Sequence, residues 1–175
     1  PVLRQATTAP DRLTATTAAT ALWQVAGDAD TALAVADRYL GGDEHDLRSA
    51  VEVLAELGPA AQSRAGRLRQ IARRRDRFGW LVLAAARALW RVTADPIPVL
   101  PVLDRAWHLN PHTHREIVSV WTQMGPAAAD ARPTLVAELG RVRRHNVTEG
   151  GYSSAQVTDD EELLSRCRLA LAAIA

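Results

Sequence analysis

The 175 residues, 47% of them hydrophobic, are enough for one folded domain with its own core and exclude a disordered chain; 10 Gly and 9 Pro exclude a collagenous or low-complexity one. The 21 basic residues are all Arg and face 20 acids, for a net charge of +1, which argues against a dedicated polyanion or membrane-surface binder. Aromatic residues make up only 5% while Ala occurs 33 times, a composition suited to helices that approach closely across small side chains, so an all-α class is expected.

Asp28, Gly58-Pro59, Asp95-Pro96, Asn110-Pro111 and Gly125-Pro126 punctuate the chain. Between them the helical period predicts helices at 1–6, 11–26, 30–40, 44–57, 60–74, 77–93, 96–108, 112–124, 128–144 and 159–174. The fourth is typical: Leu47, Ala50, Val51, Leu54 and Leu57 form one apolar stripe at i, i+3, i+4, i+7 spacing. Strand alternation is absent. Residues 145–158, with Gly150-Gly151 and Ser153-Ser154, lose the period and are expected to form an insertion loop.

The chain repeats itself. Ala21-Leu22-Trp23-Gln24-Val25 recurs as Ala88-Leu89-Trp90-Arg91-Val92, an offset of 67, and Gly58-Pro59-Ala60-Ala61 recurs as Gly125-Pro126-Ala127-Ala128 in the same frame. A half-period follows from Val25, Leu57, Val92 and Met124, which close successive second helices at steps of 32, 35 and 32 residues. A period in the thirties means stacked two-helix units, none able to bury its apolar face alone. The expected fold is a right-handed α-solenoid of about five antiparallel helical hairpins in a single domain, 1–175, with second helices side by side on a concave face. Leu22, Leu54, Leu89 and Val120 are expected in its core. Pro1-Val2-Leu3 and Ala6 match Pro101-Val102-Leu103 and Ala106, so the chain is expected to enter inside a repeat and to belong to a longer protein.

The short two-helix unit, its Ala-Leu-Trp-x-Val second helix, the Gly-Asp or Gly-Pro that ends second helices and the following Ala-Ala resemble bacterial HEAT-like repeats of the compact type named after phycobilisome lyases, over nearly the whole chain. That resemblance implies architecture more than activity, because the family spans scaffolds, regulators, chromophore lyases and a branch of DNA glycosylases.

Catalytic signatures are missing: the sequence has no Gly-rich phosphate loop, Gly-x-Ser-x-Gly, His-Glu-x-x-His or Cys-x-x-Cys. A non-enzymatic module without a cofactor or metal is expected. His108, His112 and His114 are read as a solvated inter-repeat loop, because Pro111 breaks the alignment that a helical zinc pair needs. Cys167 is expected as a buried thiol. Trp23 and Trp90 are expected as core anchors and Trp80 and Trp107 as partly exposed. No apolar stretch is long enough to span a membrane, and a cytoplasmic location is expected.

Two surfaces remain. Off the apolar stripes, Thr20, Gln24, Glu52, Glu56, Arg87, Arg91, Ser119, Gln123 and Arg166 mark a concave face of mixed charge, suited to a protein or peptide, another domain of the same longer chain included. The alternative is nucleic acid on an Arg-rich ridge of Arg67, Arg73, Arg74, Arg77, Arg141 and Arg144. Arg side chains near helix C-termini also complement the helix dipole, an ordinary structural role for the same residues.

Overall fold

A computed structural model describes residues 1–141 and 153–175. Among the described residues all regular structure is helical, with no strand. The α-helices are α1 (Val2–Ala6), α2 (Arg12–Ala26), α3 (Ala29–Tyr39), α4 (Glu44–Leu57), α5 (Ala65–Ala72), α6 (Trp80–Thr93), α7 (Leu100–Leu109), α8 (His114–Met124), α9 (Arg132–Leu139) and α10 (Ser153–Ile174). Short 3-10 helices fill Gly58–Arg64, Pro111–Thr113 and Gly125–Ala131. Among the described residues no helix is long and apolar enough to cross a membrane.

The chain forms two compact units, Pro1–Val102 and Leu103–Ala175. In the first, α2 packs on α3 and α4, α3 on α4, α4 on α6, and α5 on α6. In the second, α10 packs on α8 and α9. The expected core residues Leu22, Leu54, Leu89 and Val120 are all buried, and so is Cys167.

Helix ends follow side-chain capping more closely than the apolar period. Asp11, Asp28 and Asp43 open α2, α3 and α4 by accepting the backbone N–H of Thr14, Thr31 and Asp46 at 2.7, 3.1 and 2.9 Å. α6 starts at Trp80 rather than at 77, because the Asp76 carboxylate takes the N–H groups of Phe78, Leu81 and Val82 and Gly79 stands at φ 77. α7 starts at Leu100 rather than at 96, because Pro98 disfavours helical geometry at Ile97. The helix expected at 60–74 and the described part of the one expected at 128–144 each divide into a 3-10 turn and a short α-helix, α5 or α9. α10 begins at Ser153 rather than at 159, since no Gly or Pro follows Gly151 to stop it. It thereby takes in the last part of the expected 145–158 insertion; the rest of that segment lies outside the described residues.

Local structure recurs at the offset of 67. Gly58 closes α4 at φ 55, ψ −131 and Gly125 closes α8 at φ 57, ψ −134, each leading through Pro into a 3-10 turn. Side chains with a Cβ are sterically kept out of that backbone region. Gly27 instead closes α2 in the ordinary left-handed well, at φ 65, ψ 20. A Cβ at Gly58 would make only an ordinary contact, 3.5 Å from the Arg91 carbonyl oxygen, and one at Gly27 would meet open space, so conformation sets both costs. Urea unfolding of the two alanine variants is expected to show a loss of about 1–2 kcal/mol for Gly27→Ala and a larger one, up to about 3 kcal/mol, for Gly58→Ala.

Candidate functional site

The polar strip of α4 lies between α2 and α6. Glu52 and Glu56, one turn apart, meet Arg87 and Arg91, one turn apart on α6: Arg87 pairs with Glu52, and Arg91 Nη1 stands 2.8 Å from Glu56 Oε1. On the other side Trp23 Nε1 donates to the Glu56 carbonyl at 3.0 Å, and Arg12 holds Asp46 at 3.1 Å and the Ser49 hydroxyl. Between α2 and α4 runs a cavity of about 320 Å³ lined by Thr17, Thr20, Gln24, Ser49 and Glu52 among others. The structure thus brings six of the expected face residues, Thr20, Gln24, Glu52, Glu56, Arg87 and Arg91, onto one stretch of the first unit. Their charges are matched within the protein. Arg12, Thr17 and Ser49 were not among the expected face residues; Thr17 and Ser49 stand one helical turn before Thr20 and Glu52 and follow from that spacing, whereas Arg12 does not.

The second unit carries the other three. Arg166 holds Glu162 at 2.6 Å and donates to the Ser119 hydroxyl at 2.6 Å; Arg115 grips Glu162 and Asp159 at 2.8 and 2.7 Å. These two guanidinium groups, Arg166 first, hold the Glu162 carboxyl below the usual carboxylate range. Gln123 is exposed on α8.

The Arg-rich segment separates into two kinds of side chain. Arg64 pairs with Asp37, and Arg67 Nη2 donates at 2.6 Å to the Leu40 carbonyl at the end of α3, so Arg67 serves as a helix-end cap. Arg141 pairs with Glu138 at 3.2 Å, and Arg144 lies outside the described residues. By contrast the guanidinium groups of Arg69, Arg73, Arg74 and Arg75 meet no hydrogen-bond or ion-pair partner among the described residues. Arg77 lies 5.2 Å over the Phe78 ring. Elsewhere in the first unit, Arg4, Arg12, Arg38, Arg48, Arg87 and Arg91 are each held by a carboxylate, a carbonyl or an indole ring.

Two expectations for the second unit fail. His114 is buried rather than solvated, and Trp107 is buried rather than partly exposed. Their rings stack, with centroids 3.6 Å apart and planes 3° from parallel, and Trp121 lies 5.4 Å from Trp107. His114 Nε2–H donates to the Trp107 carbonyl at 2.9 Å, which fixes the neutral tautomer with a bare Nδ1. The offset of 67 gives the reason. Trp107, His114, Trp121 and Glu138 stand where the first copy has Leu40, Leu47, Leu54 and Ile71, all buried. The second copy keeps the packing position and changes the chemistry. Trp121 Nε1 is buried without a hydrogen-bond partner among the described residues. Among those residues no group of three or more His, Cys, Asp or Glu side chains converges as a metal set; His108 and His112 stay exposed.

Comparison with protein-family models, with curated proteins and with solved structures finds no match.

Burial lowers the His114 pKa below its ordinary 6.5, and nearby Arg141 and His108 push the same way against the Trp107 carbonyl and Glu138. The unfolded chain therefore binds a proton that the folded chain refuses. Stability is complete above about pH 6.5 and is lost as the pH falls below it. A charged imidazole stacked on Trp107 is also expected to quench its fluorescence. His114→Leu, which restores the residue type of Leu47, is expected to abolish both effects in unfolding and emission titrations between pH 7 and 4.5; an unchanged profile would assign them to another group.

Proposed function

We propose that the chain is a non-enzymatic, HEAT-like α-solenoid module of right-handed hairpins that works in the cytoplasm and binds a protein or peptide segment along its α2, α4 and α6 face. The observation that carries this reading is the cavity of about 320 Å³ between α2 and α4. Its hydroxyl, amide and carboxylate groups offer both donors and acceptors to an extended polypeptide backbone. The ion pairs of Glu52 and Glu56 with Arg87 and Arg91 leave little net charge beside it, which favours a partner read by hydrogen bonding and shape over a polyanion. A second helix flanked by other second helices on both sides, as α4 is by α2 and α6, also suits a hairpin stack. The resemblance to HEAT-like repeats adds a family in which scaffolds and regulators occur. Nucleic-acid binding through the full ridge has less support, because Arg67 and Arg141 are occupied within the fold.

Peptides selected from a random library on the immobilised chain test the face. Thr20→Trp fills the groove, and the fourfold exchange Glu52→Arg, Glu56→Arg, Arg87→Glu, Arg91→Glu reverses the face while keeping both ion pairs. Selected peptides are expected to lose at least about tenfold in affinity to the Trp variant and to respond to the exchange, with unfolding midpoints near the parent's. Peptides indifferent to both would remove this face as the binding surface.

A further inference from the structure

A second cavity, of about 530 Å³, lies in the first unit between the start of α4 and the loop joining α5 to α6, with Arg74, Arg75, Arg77, Phe78 and Leu81 in its wall. Its volume falls within the range of small-ligand sites. Asp43, Glu44 and Asp76 also line it, so formal charges balance three against three. The two signs are not equally available. Asp43 and Asp76 already accept backbone N–H groups at the starts of α4 and α6, and the N–H of Asp46 holds the Asp43 carboxyl below its ordinary range. Arg74 and Arg75 have no such engagement among the described residues, in a unit whose Arg side chains outside residues 69–77 are all held.

Arg74 and Arg75 make no ion pair among the described residues, and their planar forks match phosphate oxygens in pairs. Beside them Phe78 is 55% exposed, with the Arg77 guanidinium 5.2 Å over its ring. Leu81, buried, provides an apolar wall. Glu44 adds an exposed carboxylate able to accept from a ligand hydroxyl or amine. Two unpaired guanidinium groups, a partly exposed ring, an apolar wall and an acceptor around one nucleotide-sized space form a set that neither an apolar ligand nor a simple inorganic anion would use in full.

We infer that this cavity binds a polyphosphate-bearing small ligand of nucleotide size, its phosphates on Arg74 and Arg75 and its base against Phe78. The inference does not rest on peptide binding by the α2, α4 and α6 face, and either can fail alone.

Isothermal titration of the full chain at physiological ionic strength, with ATP, tripolyphosphate and adenosine as probes, tests it. ATP is expected to bind saturably, and Arg74→Gln with Arg75→Gln to weaken it at least about tenfold. Arg132→Gln with Arg168→Gln removes the same charge from exposed positions in the other unit and is expected to leave binding unchanged. Phe78→Ala is expected to weaken ATP several-fold and to spare tripolyphosphate; equal binding of the two phosphates, both insensitive to Phe78→Ala, would overturn the stacked base. Absence of saturable binding to millimolar ATP, or equal losses in the two double variants, would overturn the site. Tighter binding of a polyglutamate peptide or of oligothymidylate, lost in Arg74→Gln with Arg75→Gln, would overturn the small ligand in favour of an acidic chain or a nucleic-acid strand.

Discussion

Burial on three flanks of α4 constrains the first unit. Seven of its 14 residues are buried, more than one apolar stripe requires: Val53 and Ala55 join Leu47, Ala50, Val51, Leu54 and Leu57. A helix buried so widely needs α2, α3 and α6 around it at once, and what remains open is a narrow strip bearing Ser49, Glu52 and Glu56. Polar side chains confined to such a strip lie within reach of both neighbouring helices. That is why Arg12 and Trp23 approach from α2, and Arg87 and Arg91 from α6. Partly exposed pairs of this kind contribute about 0.2–1 kcal/mol each, so they set the register of neighbouring helices more than they hold them together. The apolar area beneath supplies the stability.

The second unit meets the same packing demand with different chemistry. Leucine and isoleucine fill a core with no hydrogen-bonding obligations, whereas Trp107, His114, Trp121 and Glu138 bring an imidazole, two indoles and a carboxylate into equivalent positions. Burying such groups costs free energy unless each finds a partner. His114 finds the Trp107 carbonyl and Glu138 finds Arg141, while Trp121 Nε1 finds none among the described residues. An apolar quartet would have served packing at lower cost, so the substitution makes the second core sensitive to proton concentration in a way the first is not.

Helix content, the apolar stripes of the core and the recurrence were legible in the sequence because they depend on period and offset, which a single chain displays, whereas Trp23 and Trp90, expected as core anchors, are only half-buried. Leu22, Leu54, Leu89 and Val120 were readable from the stripe alone. Helix starts were less so, since the entry of α6 is set by three N–H groups converging on Asp76, a tertiary arrangement that no local pattern announces. His114 was misread for a different reason. Pro111 and two flanking histidines made it look like loop, while the offset of 67 already placed it on Leu47. Of the candidate face, the membership of Thr20, Gln24, Glu52, Glu56, Arg87 and Arg91 was readable, and their mutual neutralisation was not, because it depends on which i, i+4 pairs α4 and α6 present to each other.

The absence of lysine gives the arginines of the first unit a common chemistry and leaves their surroundings to separate them. Where a helix flank places a carboxylate, a carbonyl or an indole within reach, the guanidinium closes onto it, as at Arg12, Arg67 and Arg48. After Ala72 the helix ends, and the loop that follows contains one acid, Asp76, whose oxygens are taken by backbone N–H groups. Arg73, Arg74 and Arg75 therefore fall beyond the helix end, where the one acid of their own loop is engaged by backbone N–H groups. Had these residues served only to complement the dipole of α5, one or two within its last turn would have been enough, since that interaction fades beyond the turn. The continuation of Arg74 and Arg75 past the helix end and into the wall of a cavity gives these two a position that dipole complementation does not explain.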